Sequence, residues 1–379
     1  MKVAMLTDCY LPRLGGIEVQ VHDLSARLRA AGHEVEIFTA TPGSQGERYG
    51  TVDLVDGVAV HRLAMRLPYD LPVNPTAPPE LRARLGAGGN DGRPFDVAHV
   101  HLGVVSPFAV DAARVALGAG LPSALTWHCM LARTGYAVQA LGTLRRWARS
   151  GAALSAVSAV AAADVRRAAG GRERVAVLPN GIDVERWRRP PGAGPADRPV
   201  RIVTAMRLAR RKRPGPLLDI LARVRAAVDP SVQIEVEIYG DGPDRTRLER
   251  RLAETGMSRW VTLPGRVPRE ELPGRYAAAH VYVSPAQLES FGIAALEART
   301  AGLPVVGRHG SGVGEFVTSG VNGFLAADDD DLVERLSALV SDRALRERMT
   351  AYNLAHPPEQ DWGRVVAATL AEYRRAGAR

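Results

Sequence analysis

The chain has 379 residues, of which 46% are hydrophobic and 5% aromatic, and it carries a formal net charge of +8. This length and composition predict a globular protein of two ordinary domains, and because no stretch approaches ~20 consecutive apolar residues we expect no transmembrane helix. Few aromatic residues, and no basic run interleaved with stacking side chains, argue against a nucleic-acid partner, whereas the positive charge also suits anionic membranes and phosphorylated ligands.

The N-terminal segment predicts the strand, helix and strand that open a parallel, doubly wound sheet. An apolar strand over residues 3–6 precedes a helix over about 17–31, and a second strand follows over 34–39. This start is too short and strand-like for a signal peptide, so we expect a cytoplasmic location. Gly15 and Gly16 lie directly before the helix. They either let backbone N–H groups approach a phosphate or sugar, or they form a plain tight turn.

Histidines occur at or just beyond two predicted strands of the first domain. His99 and His101 lie on one face of a strand over 97–101. Metal binding is one interpretation, but no third ligand stands close in sequence, and packing or substrate contact is favoured. His128 follows a strand over 123–127, at the carboxyl edge where parallel sheets bind ligands. His128 is therefore the better functional candidate.

A basic segment over about 131–153 has two interpretations. It includes a predicted helix with three arginines, and it holds two aromatic residues: Arg145, Arg146, Arg149, Tyr136 and Trp147. A solvated basic face is the default, and contact with anionic lipid is the alternative. The second interpretation predicts peripheral association with the inner face of the membrane.

Proline and glycine accumulate between residues 188 and 199, which predicts a domain boundary there. The first domain then comprises residues 1–190 and the second 198–360. Apolar strands recur over 201–205, 233–239, 261–263 and 304–306, with a helix over about 214–228. This alternation predicts a second doubly wound sheet.

Arg207 and Lys212 follow the first strand of the second domain. Further arginines crowd the same loop, and a basic run is usually solvated surface. However, Lys2 and Lys212 are the only lysines among the 49 basic residues, so a lysine here is a selective choice. A compact ammonium suits a diphosphate as a point charge where a planar guanidinium does not fit.

The stretch from Glu289 to Glu297 joins an apolar strand to an alanine-rich helix. Two carboxylates eight residues apart in a helix are ~12 Å apart, too far for the acid and base of a glycosidase, so we expect them to hold two ends of one ligand. Between them, backbone N–H groups at a helix start predict an anion site, and they belong to Ser290, Phe291, Gly292 and Ile293. The acidic run over 328–331 predicts another helix start rather than a metal site.

The pattern of Glu, seven residues and Glu around Ser-Phe-Gly resembles the signature of the retaining glycosyltransferases of family four, which have GT-B architecture. The stretch over 179–183 resembles this family's exit from its first domain. The resemblance implies an α/β fold of two doubly wound, Rossmann-like domains that face each other across a cleft. It also implies that a C-terminal helix, about 361–379, packs back on the first domain.

The resemblance further implies a role for each candidate residue. Glu289 contacts hydroxyls of the donor sugar, Glu297 contacts the ribose, and His128 lies near the reacting centre. The Gly15–Gly16 loop faces the donor from the first domain. Arg207 and Lys212 contact the donor phosphates. Arg266 and Val267 lie against the nucleotide base.

The implied reaction moves a hexosyl group from a UDP- or GDP-sugar to a hydroxyl of a lipid-linked or small acceptor, with retention at the anomeric carbon. No metal or other cofactor is expected. One alternative is a non-catalytic nucleotide-sugar binder, against which the basic phosphate-binding residues and His128 argue. The other alternative is a GT-B sugar-nucleotide epimerase.

Overall fold

The computed structural model describes residues 1–13, 15–48, 50–65, 71–131, 142–190, 192, 194–195 and 199–379. The chain forms two compact units: Met1–Gly181 with Trp362–Arg379, and Ile182–Asp361. The predicted boundary between residues 190 and 198 lies further along the chain than this division. The reason is that Trp187 is fully buried in the second unit, where its ring stacks on Tyr276 with the centroids 5.8 Å apart.

The first unit contains an eight-stranded sheet in the order β3-β4-β2-β1-β5-β6-β7-β8. Its strands are β1 Lys2–Thr7, β2 Glu34–Thr39, β3 Thr51–Val55, β4 Val58–Arg62, β5 Val97–Leu102, β6 Ser123–Trp127, β7 Ala153–Ala156 and β8 Val175–Val177. Strand β3 pairs antiparallel with β4, and the other pairs in this sheet are parallel. The helices of this unit are α1 Gly16–Ala30, α2 Ala77–Gly86, α3 Pro107–Gly118, α4 Thr143–Arg149, α5 Ala159–Ala168 and, at the C-terminus, α13 Trp362–Arg375.

Both faces of this sheet are covered, which explains why β1 is buried along its whole length. Successive side chains of a strand point to opposite faces. Ala4 and Leu6 accordingly belong to one core cluster, which includes residues of α3 and α5. Val3 and Met5 belong to the other, which includes residues of α1 and α13. A strand buried on both sides is expected to be apolar throughout rather than alternating.

The second unit contains a six-stranded sheet in the order β11-β10-β9-β12-β13-β14, with parallel pairing throughout. Its strands are β9 Val200–Ala205, β10 Ile234–Tyr239, β11 Val261–Gly265, β12 Val281–Val283, β13 Val305–Arg308 and β14 Gly323–Ala326. Its helices are α6 Val184–Trp187, α7 Pro214–Ala227, α8 Arg245–Glu254, α9 Leu272–Ala277, α10 Ile293–Thr300, α11 Asp329–Ser341 and α12 Arg343–Ala355. The acidic run over 328–331 begins α11, where the Asp328 side chain accepts a hydrogen bond from Asp331 N at 2.9 Å. The two sheets confirm the predicted α/β, doubly wound fold class.

Each sheet has a point where the strand order reverses direction. In the first unit the chain runs outward from β1 to β2 and then returns to β5 on the other side of β1. In the second unit β10 and β11 lie on one side of β9, and β12 lies on the other. Ligands of open α/β sheets bind outside the carboxyl ends of the strands at such points. We therefore expect ligand-binding residues in the loops after β1 and β5 and in the loops after β9 and β12.

Among the described residues, no helix is both long enough and apolar enough to cross a membrane.

Candidate functional site

The loops after β9 and β12 bring together two residues that the sequence singled out separately. Because β9 and β12 are parallel neighbours, their carboxyl ends open on the same edge of the sheet. At this edge Lys212 Nζ lies 2.5 Å from Glu289 Oε2, although 77 residues separate them. The Glu289 side chain is 13% exposed and that of Lys212 is 33% exposed. We call Lys212, Glu289 and the loops that carry them the β9–β12 site.

A short turn fixes the position of Lys212. Residues Arg210–Lys212 form one turn of 3₁₀ helix, and Lys212 N donates to Ala209 O at 2.8 Å. Arg213 follows in the left-handed region, with φ of +61°. Its guanidinium donates to Pro285 O at 3.1 Å and to both carboxylate oxygens of Asp329. Arg213 thus ties the loop after β9 to the loop after β12.

Helix α10 begins at Ile293, three residues later than the predicted first helical turn. The prediction that Ser290 opens the helix is wrong because Gly292 adopts the left-handed region, with φ of +91°, and caps the helix. Residues Ser290, Phe291 and Gly292 form the loop that precedes it. The N–H groups left over by the first helical turn are therefore those of Ile293, Ala294 and Ala295.

The loop of residues 310–314 packs directly on the Glu289 segment. Gly312 N donates to Glu289 O at 2.7 Å. A Cβ atom at Gly312 would lie 2.1 Å from Ser290 O, so no other residue fits without moving the backbone. Three of the five residues of this loop are glycines, and the close approach of the backbone explains the glycine at position 312.

Glu297 lies in α10, where it is 5% exposed. Arg269 Nη2 lies 3.6 Å from Glu297 Oε1. Because Arg269 belongs to the segment after β11, this contact connects α10 with the segment that contains Arg266 and Val267. Arg266 is exposed and Val267 is half-buried. The predicted ribose residue and the segment predicted to meet the base are therefore neighbours.

Arg207 does not join this cluster of contacts. It is exposed, and within the described part of the chain its side chain has no hydrogen bond or ion pair. The backbone beside it is fixed, because Leu208 N donates to Asp241 O at 2.9 Å.

In the first unit, Gly15 and Gly16 begin α1 after the β1 loop. Gly15 is the N-cap residue, and no side chain caps the helix there. A Cβ atom at Gly15 would lie 2.5 Å from a carboxylate oxygen of Glu18, which is buried in the first turn. Both glycines are exposed, so their backbone is accessible to a ligand.

Asp8, also in the β1 loop, is a buried acid that the sequence did not single out. Its Oδ1 accepts hydrogen bonds from Phe108 N at 3.0 Å and Ala109 N at 3.3 Å, at the start of α3. Burial raises the pKa of Asp8 to about 6, against hydrogen bonds that lower it.

The histidine cluster is defined as His99, His101 and His128: His101 and His128 lie at the carboxyl ends of β5 and β6, and His99 lies two residues before His101 in β5. His101 Nδ1 lies 2.9 Å from His128 Nε2, and the His99 and His101 ring centroids are 4.0 Å apart. Burial lowers the pKa of His99 to about 3 and of His128 to about 4, and lowers that of His101 well below its ordinary value. All three imidazoles are therefore neutral at pH 7.

No described group of three His, Cys, Asp or Glu side chains is arranged as a metal site would require. The two cysteines, Cys9 and Cys129, are free thiols. Four residues that complete these sites were not singled out from the sequence, because each contacts a residue distant along the chain. They are Asp8, Arg213, Arg269 and Gly312. Of these four, only Gly312 could have been found from the sequence, because its loop is rich in glycine.

Two family models match most of the chain. A family model described as Glycosyltransferase Family 4 matches residues 14–186, and one described as Glycosyl transferases group 1 matches residues 185–355. The D-inositol 3-phosphate glycosyltransferase of Arthrobacter sp. strain FB24 is 29% identical over 392 residues, which cover 96% of this chain and 90% of that protein.

A second relative is the GDP-mannose-dependent alpha-(1-6)-phosphatidylinositol monomannoside mannosyltransferase of Mycobacterium tuberculosis. It is 25% identical, over 99% of this chain and 98% of its own length. The crystal structure of Anabaena HepE in complex with UDP superposes with a TM-score of 0.72 at 19% identity, covering 98% of this chain and 100% of that one. The two family models together span residues 14–355, and the chain belongs to the glycosyltransferases of family four, with GT-B architecture.

Proposed function

We propose that this glycosyltransferase moves a hexosyl group from a UDP- or GDP-sugar to an acceptor hydroxyl, with retention at the anomeric carbon and without a metal ion. The observation that carries the proposal is the contact between Lys212 Nζ and Glu289 Oε2 at 2.5 Å. It joins a cation suited to a diphosphate with a carboxylate suited to sugar hydroxyls, at the edge where parallel sheets bind ligands.

The charges available for the diphosphate support the proposed metal independence. Lys212 supplies a localised positive charge, and the N-terminal N–H groups of α10 add the positive end of a helix dipole. Negative charge develops on the diphosphate as it leaves, and fixed donors of this kind stabilise it. Arg207, exposed on the same loop as Lys212, is a second cation for this role.

The nucleotide is proposed as UDP or GDP because one similar protein binds UDP and another depends on GDP-mannose. HepE was solved with UDP, and the mycobacterial relative is named as GDP-mannose-dependent. Retention rests on the resemblance of the Glu289–Glu297 motif to the retaining family.

For the acceptor we propose a hydroxyl of an inositol ring that carries a phosphate, either free or within a lipid. Support comes from the names of the relatives, one of which refers to inositol 3-phosphate and the other to a phosphatidylinositol mannoside. The two sources share one chemistry, and a direct assay distinguishes them.

The test begins with thermal unfolding in the presence of UDP, GDP and ADP. A ligand at 100 times its Kd stabilises the folded state by about 2.7 kcal/mol, so the cognate nucleotide should raise Tm while the others do not. Turnover of the matching nucleotide sugar is then measured with inositol 3-phosphate, with phosphatidylinositol vesicles and with unphosphorylated inositol. The anomeric configuration of the product is determined by NMR.

Absence of stabilisation by any of the nucleotides would contradict the proposed donor. Transfer to unphosphorylated inositol alone would contradict the proposed acceptor. Formation of an epimeric nucleotide sugar without any acceptor would instead establish the epimerase alternative.

We also propose peripheral contact of α4 with anionic membrane on the cytoplasmic face. Its three arginines, Arg145, Arg146 and Arg149, are exposed, whereas Trp147 is buried in the core. The contact is therefore electrostatic rather than an aromatic insertion, and Tyr136 lies outside the described residues. Sedimentation with anionic liposomes at low salt should be lost at high salt and after all three arginines are replaced by glutamine. Equal sedimentation with neutral liposomes would contradict this proposal.

A further inference from the structure

The contact between His101 and His128 suggests a positioning role for His101 that the proposed function does not yet include. We propose that His101 fixes the tautomer of His128, so that His128 Nε2–H donates to His101 Nδ1 and His128 Nδ1 keeps its lone pair. This inference deepens the proposed function, on which it rests, because His128 is the residue expected near the reacting centre.

The proton positions follow from the partners of His101. Its Nδ1 lies 2.9 Å from His128 Nε2, and its Nε2 lies 3.3 Å from Met5 Sδ. A thioether sulfur has no proton to give and accepts only weakly. The contact with Met5 is therefore favourable when His101 Nε2 carries the hydrogen. A neutral imidazole has one N–H group, so His101 Nδ1 must accept, and the hydrogen between the two rings belongs to His128 Nε2.

The surroundings of His101 hold this arrangement in place. His101 is 3% exposed, in a strand paired on both sides, with Thr7 and Thr126 in register. Its ring packs against that of His99 with the centroids 4.0 Å apart. His99 is itself held, since its Nδ1 lies 3.0 Å from Tyr373 Oη and its Nε2 lies 2.8 Å from Thr126 Oγ1.

Protonation of His101 would remove the acceptor that His128 needs. Burial opposes that protonation, because it lowers the pKa of His101 well below the ordinary value and the neighbouring imidazoles lower it further. His101 thus remains an acceptor toward His128 across the neutral pH range.

The consequence concerns what His128 can do for a ligand. Its Nε2–H is directed to His101, and Asn180 forms a further hydrogen bond with the ring. The segment that carries Asn180 is anchored, because Gln20 bonds to both the N–H and the carbonyl of Gly181. His128 in this tautomer offers the Nδ1 lone pair as an acceptor to a ligand hydroxyl and does not act as an acid there.

The direct test is the tautomer itself, observed by long-range ¹H–¹⁵N NMR of histidine-labelled full-length protein, with His128 assigned by loss of its signals in His128→Gln. The wild type should show a protonated Nε2 and an unprotonated Nδ1 on His128. A protonated Nδ1 in the wild type would overturn the proposal without any variant of His101.

Variants of His101 test the cause. His101→Leu should shift His128 to a mixture of tautomers, while His101→Gln, whose side-chain oxygen can still accept, should restore the wild-type pattern. The matched control His99→Leu removes the hydrogen bonds to Tyr373 and Thr126 but keeps an apolar side chain against the His101 ring, and because no partner of His128 is lost the His128 tautomer should be unchanged. An unchanged tautomer in a folded His101→Leu protein would refute the inference.

Steady-state kinetics provide a second test of the role of His101. His101→Leu should lower kcat about tenfold with the donor KM changed less than twofold, and His101→Gln should recover most of kcat. Equal losses in both variants would contradict positioning through the tautomer. Because the NMR measurement requires no glycosyl transfer, its failure and a failure of the proposed reaction are distinguishable.

Discussion

Replacement of Lys212 by arginine is the substitution that most sharply separates a binding role from a surface role. The positive charge is kept, and on an ordinary surface the change is nearly neutral. In the β9–β12 site the Lys212 ammonium approaches Glu289 Oε2 to 2.5 Å, with the carboxylate largely buried. A guanidinium is larger, planar and rigid in its donor geometry, and it cannot occupy the same point.

The magnitude follows from the interactions at stake. A hydrogen bond between charged groups is worth about 1.5 to 3 kcal/mol. Since about 1.4 kcal/mol corresponds to a tenfold change, losing one such contact with the diphosphate weakens donor binding roughly 10- to 150-fold. Misplacement of Glu289 should lower turnover in addition, because this carboxylate is proposed to contact the sugar.

Isothermal titration with the cognate nucleotide sugar and steady-state kinetics measure the two effects separately. Arg210→Lys and Arg211→Lys are matched controls, because both residues are exposed and lie on the same 3₁₀ turn as Lys212. We expect both controls to remain within twofold of wild type. If Lys212→Arg retained donor affinity and turnover as well, the proposed role of Lys212 would be refuted.

The remaining predictions concern the carboxylates, the metal and pH. Glu297→Ala should weaken nucleotide binding by about 1.5 to 3 kcal/mol, measured by titration, whereas Glu289→Ala should mainly lower kcat; equal small effects would be inconsistent with the assignment. EDTA should leave turnover unchanged, and loss of activity that magnesium or manganese restores would show that the phosphate site is misassigned. Burial raises the Asp8 pKa from 3.8 to about 6, so the folded state binds this proton more tightly than the unfolded chain does. This difference adds about 3 kcal/mol to the free energy of unfolding below about pH 4, and the contribution is lost as the pH rises through 6. Urea unfolding of Asp8→Asn should show no such pH dependence. The same pH dependence in that variant would exclude Asp8 as its source.

The alternation of apolar strands and helices predicted both sheets because strands buried on two faces have a continuous apolar sequence. The C-terminal helix, predicted over about 361–379, occurs over Trp362–Arg375. The start of α10 was not predicted correctly, because Gly292 adopts the left-handed conformation and the helix begins only at Ile293. A glycine permits that conformation without requiring it, so its presence in the sequence does not determine the helix start.

Contacts between residues that are distant along the chain could not be predicted from the sequence. The contact of Arg213 with Asp329 spans 116 residues, and that of His101 with His128 spans 27. Periodicity assigns residues to strands and faces but contains no information on which loops meet at one edge of the sheet. The two glutamates were recognised from their motif, whereas the direct pairing of Lys212 with Glu289 became visible only when β9 and β12 were seen to be neighbours.

A crystal structure of the protein with its cognate UDP- or GDP-sugar tests the central claim most directly. We predict the diphosphate within hydrogen-bonding distance of Lys212 Nζ and of the N–H groups that open α10. The sugar hydroxyls should lie at the Glu289 carboxylate and the ribose hydroxyls at Glu297. A nucleotide sugar bound away from the β9–β12 site, with the contact between Lys212 and Glu289 intact and no ligand atom near either residue, would contradict the account.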